Sequence, residues 1–343
     1  MAFQNIGNTN AGAFTLQGNG PVNPNMTMDA AGIASGGAFL TSELEKRDPI
    51  IRKPLTSVTY PRDIPISVGG GWVDYASAMS VAYGITGGAG ASPVTAGGAN
   101  AIPVVQASLD KGLFKAHTFA AALRVMFQDM MRANYIGRSL DDLLRDGVRL
   151  AYDKHMDQNT YVGLEEYGTT GLLNNPNVVE TTVAAGAGGT TTWATKTPAE
   201  ILNDINTAIT AVWAAADYDG DAMPNHILMP YEQYTYLIKT PVSALAAESI
   251  MDYIMKNNVA TKNGRDLFIA GVKWAKGAGT GGADRMAVYV NHDRFLKLEE
   301  LVPLTRIMSS PNTANVCYDT AYMANVTEVE ILYTQTIAYF DGV

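Results

Sequence analysis

Gly171-Leu172-Leu173-Asn174-Asn175-Pro176 is the stretch whose reading decides the fold of this 343-residue chain. It reads as a turn, and it comes just after a long helical segment that ends near Gly163. That segment begins at Ser139-Leu140-Asp141-Asp142, where Ser139 is an N-cap and the two aspartates suit the positive end of a helix. Leu140, Leu144, Val148, Ala151 and His155 trace one face, with Leu143 and Leu150 beside it. Ser139 to Val162 would span roughly 36 Å, the longest rigid element in the chain.

Upstream, Phe119, Leu123, Met126, Phe127, Met130 and Met131 follow helical spacing and predict another helix. Residues 54–116 read as extended: Val58-Thr59-Tyr60 and Ile64-Pro65-Ile66 are strand-like, with Pro61 and Pro65 suited to an edge. Tyr83 to Ala101 is a Gly/Ala-rich loop tip, and Ile102 to Leu109 returns as a strand. Between Ile64 and Leu109 the only charged side chain is Asp74. A compact domain rarely holds so long a structureless insert, whereas a hairpin reaching onto a neighbour would bury its uncharged face. Residues 1–40 carry one charge, Asp29, among seven Gly and six Asn, too little apolar surface to offset their ordering entropy. Alone such a segment is disordered; in an assembly it is an arm ordered by its neighbours.

Downstream, Val183 to Thr195 is a Gly/Thr-rich connector. Thr197-Pro198-Ala199-Glu200 opens a helix with a cap, a proline at the first position and a capping-box glutamate. Ile201, Ile205, Ile209 and Val212 supply its apolar face, with Trp213 at its end. A buried strand Ile227–Pro230, a short helix Tyr231–Lys239 and a helix Val242–Asn257 follow. Strands Phe268–Lys276 and Met286–Asn291 flank a glycine loop, and Val329, Ile331, Tyr333, Ile337 and Tyr339 alternate as a closing strand does.

This order of arm, uncharged hairpin, long helix, G-L-L-N-x-P turn and helix-containing domain resembles the major capsid protein of tailed bacteriophages over nearly the whole chain. The same fold builds encapsulin shells. The resemblance implies an α+β fold with an N-terminal arm (1–53), an extended hairpin loop (54–116), a peripheral domain (117–170) whose spine helix is 139–162, an apical domain (171–290), and return strands (291–343) that complete the peripheral domain beneath the spine helix. It implies a structural head protein that assembles with itself into hexamers and pentamers of an icosahedral shell around double-stranded DNA, in the virion and built in the host cytoplasm. A separate scaffold protein, a portal and a decoration protein are the further partners it implies, with no membrane. Family members with a fused scaffold carry a long charged helix ahead of the arm. Here the first forty residues hold one charge, so the N-terminus is expected to stay intact in the particle. Some members crosslink a hairpin lysine to a neighbour's asparagine. That chemistry needs an amine on the projecting loop; between Lys53 and Lys111 there is no lysine, and Lys111 belongs to the hairpin base, so no crosslink is expected. The alternatives are an encapsulin-type nanocompartment, which commonly lacks a long polar arm, and a soluble hydrolase or ligand-binding domain.

Composition bounds these readings. Hydrophobic residues are 47% and charged residues 17% of the chain, below the roughly one quarter usual for a solvated domain. The deficit fits either a surface covered by partners or a Gly/Ala-rich soluble protein. A net charge of −9 and a pI near 4.9 argue against a dedicated nucleic-acid binder. One cysteine, Cys317, excludes an intramolecular disulfide framework, and no apolar run reaches membrane length. Gly277-Ala278-Gly279-Thr280-Gly281-Gly282 matches G-x-G-x-x-G, but a strand rather than a helix follows it, so it reads as a hairpin loop. Asp217-Tyr218-Asp219-Gly220-Asp221 resembles a calcium loop but has Ala222 and Leu228 where Gly and Glu belong, and reads as an acidic turn. His117, His155, His226 and His292 are scattered, and His155 reads as a hydrogen-bonded packing histidine. No catalytic, cofactor-binding or metal residue is assigned, and no enzyme activity is expected.

Overall fold

The structure is a computed structural model that describes residues 54, 56–86, 104–136, 140–243 and 248–343. The expected arm 1–53, the loop tip beyond Thr86, the Ser139 cap and residues 244–247 lie outside the described residues. The secondary structure is mixed α and β, as expected.

The spine helix is α3, Leu140–Tyr161, preceded by α1 (Tyr60–Asp63) and α2 (Phe127–Ile136). Its 22 residues agree with the sequence reading, but its buried stripe does not. Tyr152, Met156, Asn159, Thr160 and Tyr161 are buried, while Leu144 and Val148 are half-buried and Ala151 is exposed. From Leu144 onward burial thus concentrates toward the C-terminal end, and Leu144, Val148 and Ala151 sit at the margin of the contact.

The turn 171–176 explains how α3 ends. Gly163 takes φ +75°, a left-handed conformation that closes helices and that favours glycine. Leu172 N and Leu173 N then donate to the carbonyls of Thr160 and Tyr161 at 2.8 and 3.0 Å, satisfying acceptors the helix end leaves open. Asn174 Nδ2 donates to Val162 O, and Gly171 N donates to Asn174 Oδ1. A side chain at Gly171 would overlap the backbone of Tyr161 and Val162. Leu172 and Leu173 are both fully buried.

Two sheets flank this junction. The first joins β1 (Ile66–Val68), β8 (Leu296–Asn312), β9 (Cys317–Thr327), β3 (Val104–Met126) and β2 (Tyr75–Thr86) in that order, with β10 (Glu330–Ile331) paired to β8. The second has the order β4 (Val179–Thr182), β11 (Ile337–Asp341), β7 (Arg285–Tyr289), β5 (His226–Met229), β6 (Phe268–Gly271). Its alternate residues enter different cores. Leu228, Ala287, Tyr289, Ile337 and Tyr339 pack with Met156, Tyr161, Leu172 and Leu173. Ile227, Met229, Met286, Val288, Ala338 and Phe340 pack with α4 (Pro198–Ala215) and α6 (Ile250–Asn257).

Several expectations are met residue by residue. Thr197 and Glu200 form the capping box of α4, whose Ile201, Ile205, Ile209 and Val212 are buried. The helix α5 is Tyr231–Lys239, following directly on β5 and Pro230.

Others are corrected. The helix expected over Phe119–Met131 is strand as far as Met126, paired with β9 from Ala116↔Thr327 to Met126↔Cys317. His117, Phe119, Ala121, Leu123 and Val125 point inward and the residues between them outward. A separation of four satisfies both a period of 2 and one of 3.6, so Phe119 and Leu123 did not discriminate. The strand-like Val58–Tyr60 leads instead into α1, where Pro61 sets the first turn and Ile64 N closes on Tyr60 O. The expected helix 242–257 begins at Ile250, capped by Ser249, and is followed by α7 (Val259–Lys262). Strand Phe268–Lys276 stops at Gly271, and Lys273–Ala275 forms a 3-10 turn. The strand expected from Val329 to Tyr339 is broken by a 3-10 turn at Thr334–Thr336, and β11 beyond it lies between β4 and β7, packing Ile337 and Tyr339 with Met156 and Tyr161 of α3.

Candidate assembly interface

The hairpin expected upstream is a two-stranded ribbon, β2 against β3, in register from Tyr75↔Lys115 to Thr86↔Val104. Side chains alternate across a ribbon, so partners in register share a face. One face carries Tyr75, Met79, Val81 and Tyr83 from β2 with Val105, Leu109 and Leu113 from β3, all exposed. The opposite face is small and polar apart from Phe114: Ala76, Ala78, Ser80 and Gly84 lie opposite Phe114, Gly112, Asp110 and Gln106. Met79 is 72% exposed, Tyr83 76% and Leu109 70%. An exposed face with this many large apolar side chains, interrupted by Ser77 and Lys111, marks a protein contact.

The root is fastened to the body. Glu328 accepts from Lys115 N on one carboxylate oxygen and from Thr170 N on the other, at 2.9 and 3.1 Å. Asn325 Nδ2 donates to Val73 O, and Ala116 N donates to Asp74 O. Before β2 the chain passes through Gly69, Gly70 and Gly71, all at positive φ. A side chain at Gly70 would run into Leu301 Cδ2 at 2.6 Å. Residues 57–64 tie the root to the spine helix and to β7. Thr59 N donates to Asp157 of α3, Tyr161 OH donates to Asp63, and Tyr289 OH of β7 donates to Asp63 O.

The family described as Major capsid protein matches residues 90–343. The chain belongs to that family. Among solved structures, it is similar to the capsid of Myoviridae phage XM1, with a TM-score of 0.72 at 16% identity, covering 88% of this chain and 98% of that one. It is also similar to a capsid chain of the native GTA particle, with a TM-score of 0.60 at 13% identity over 90% and 97% of the two chains. A chain from Gordonia phage Cozz gives a TM-score of 0.54 at 13% identity, covering 96% and 99%. No curated protein matches the sequence. The fold is that of tailed-phage major capsid proteins, and the protein is a structural component of a virion capsid.

The capsid protein's other sequence motifs have structural employment. The Gly277–Gly282 loop is not a hairpin, because β5 lies between β6 and β7. Its backbone amides serve carboxylates: Gly277 N donates to Asp284 and Thr280 N to Asp341. Arg285 Nη1 donates to Leu173 O, Nε to Asp341 and Nη2 to Glu180, so this buried cation ties the 171–176 turn to the second sheet. The segment Asp217–Asp221 is a turn after α4, with Asp217 and Tyr218 at positive φ and Arg265 donating to Asp221 O. His226 is held between Asn225 and Asn291, and burial pushes its pKa down to about 4. His292 is exposed beside Asp293, and Cys317 is a buried free thiol. His155 does make a hydrogen bond, to His117 of β3. Among the described residues no cluster of three or more His, Cys, Asp or Glu could hold a metal.

One placement differs in a way that bears on function. Lys111 pairs across from Met79, four rungs beyond the Tyr75↔Lys115 root, so it stands on the exposed apolar face rather than at the hairpin base. The argument from sequence against a lysine crosslink thereby loses the placement of Lys111, while the absence of lysine from residues 54–110 stands. The ribbon's apolar face was legible as the alternation Tyr75-Ala-Ser-Ala-Met79-Ser-Val81-Ala-Tyr83, a period of two that the reading of a charge-free segment passed over.

Proposed function

We propose that this capsid protein assembles with itself into hexamers and pentamers of an icosahedral shell that encloses double-stranded DNA, working as a non-enzymatic structural subunit built in the host cytoplasm. The observation that carries the reading is the β2–β3 ribbon, which holds an apolar face in solvent and fastens its root to the body through Glu328 and Asn325. Covering that face with a second subunit removes the exposure, and a ring of such heterologous contacts closes by rotation. Segments 117–170 and 171–290 act as the peripheral and apical domains, and the arm 1–53 adds contacts between neighbours. A separate scaffold, a portal and a decoration protein are the partners in this scheme, with DNA held by non-specific contact.

The test uses a variant lacking Ser77–Leu113, bridged by a short glycine linker. Ile64 and β1 stay, because Ile64 is buried and β1 pairs with β8. Electron microscopy and size-exclusion chromatography should show closed particles for the intact chain and a folded, unassembled subunit for the variant. Normal particles from the variant would refute the proposal.

A further inference from the structure

Two histidines meet beneath the spine helix, and the assembly reading employs neither. His117 comes from β3 and His155 from α3, and their Nε2 atoms stand 3.2 Å apart with ring planes at 74°. An ion held tetrahedrally by two imidazoles at Zn–N distances of ~2.0–2.1 Å separates those nitrogens by about 3.3–3.4 Å. The existing separation is within about 0.2 Å of that span. We propose that His117 and His155 form a two-histidine site for a borderline-soft divalent transition ion, Zn2+ being the reference, with water completing the coordination.

The surroundings favour this chemistry. Imidazole suits Zn, Cu and Ni, and it must be neutral to ligate. The two Nε2 atoms share one proton in their hydrogen bond, and an incoming ion would displace it. His117 Nδ1 is buried without a hydrogen-bond partner. In histidine the bond made by one nitrogen fixes the proton on the other. Ligation through Nε2 would place the His117 proton on Nδ1. Tyr167 lies against one ring at 6.0 Å and Phe119 against the other at 5.1 Å, giving the site aromatic walls. Lys115, two residues along β3, directs its ammonium to the carbonyls of Tyr167 and Gly168 rather than to the imidazoles. His155 is partly exposed, which leaves a way in and room for water. A bound ion would staple the strand that carries the ribbon to the spine helix. The site belongs to one subunit, so it does not rest on the proposed assembly.

Isothermal titration of the purified full chain at pH 7.5 with zinc chloride, and with magnesium chloride as the hard-cation control, tests the site. One Zn2+ per chain and no Mg2+ uptake are expected. His155→Gln should weaken Zn2+ binding by more than the ~10–100-fold that loss of a supporting outer partner costs. His292→Ala, which removes the exposed histidine beside Asp293, should leave the affinity unchanged. The melting temperature of the parent chain should rise with Zn2+ and fall back with EDTA, a readout that holds even if His155→Gln folds poorly. Absence of Zn2+ binding, binding that His155→Gln leaves intact, or binding that His292→Ala abolishes would each overturn the proposal.

Discussion

Replacing Met79 and Leu109 together by alanine isolates what the ribbon face does in assembly. The two side chains lie diagonally across the ribbon, since Met79 pairs with Lys111 and Leu109 with Val81. They are 72% and 70% exposed in the subunit. Burying such a side chain fully is worth about 1.5–3 kcal/mol, so about 1–2 kcal/mol of each remains to be gained at an interface. Alanine retains a small part of that, which leaves a loss of about 2–3 kcal/mol per ribbon contact. At 1.4 kcal/mol per decade the contact weakens roughly 30- to 150-fold, and the concentration needed for assembly should rise to match. Neither residue packs in a core, so the stability of the isolated subunit should stay within about 0.5 kcal/mol. Light scattering across a concentration series would locate the assembly threshold, with thermal melting of unassembled subunits as the control. A double variant that assembles at the parental threshold while melting normally would show that this face is not a contact.

Three further outcomes follow from the fold. Gly171→Ala should abolish soluble expression, because the added methyl overlaps the backbone at the end of α3; a soluble, normally melting variant would contradict the packing described. Met156→Ala, at a side chain 1% exposed, should lower stability by about 2–5 kcal/mol in a urea titration, whereas Leu144→Asp, at a half-buried site, should still fold. Glu330 is buried with Lys297 3.3 Å away, and burial together with the Glu299 charge pushes its pKa up to about 7. A raised carboxyl favours the native state when protonated, so its contribution is complete below the unfolded value and is lost as pH rises through about 7. Glu330→Gln should therefore melt higher than the parent at pH 8 by up to about 3 kcal/mol of stability, with the difference vanishing near pH 4.

Elements with local signals were legible in the sequence. The capping box at Thr197 and Glu200, the proline before Tyr231 and the end of the long helix at Gly163 each declare themselves within a few residues. What escaped depends on distant partners. The face that α3 buries is chosen by where the sheets lie, so Tyr152 and Met156 prevail over Leu144. The strand 104–126 looked helical beyond Thr118 because alanines and spacings of four fit both periods, and its pairing with β9 decides the matter. The ribbon face was written in alternation alone, and no family of side-chain chemistry marked it. The destination of Ile337–Asp341 turned on two separate cores that no local window contains.

The second sheet is a party wall, with a different room on each side. Its strands are fixed in register twice, once by each room, because every one-residue slip would exchange Tyr339 for Phe340 or Ala338 across the wall. Neither room can be emptied alone, so unfolding should run as one cooperative event rather than as the successive loss of an outer and an inner module. The same partition sets where such a protein can vary. Substitutions within the wall must satisfy two neighbours at once, while the outward faces of α4 and the ribbon answer to one. Diversity among relatives at low identity should therefore gather on those outward faces, and segment exchange between them should succeed at the loops around the wall and fail through it.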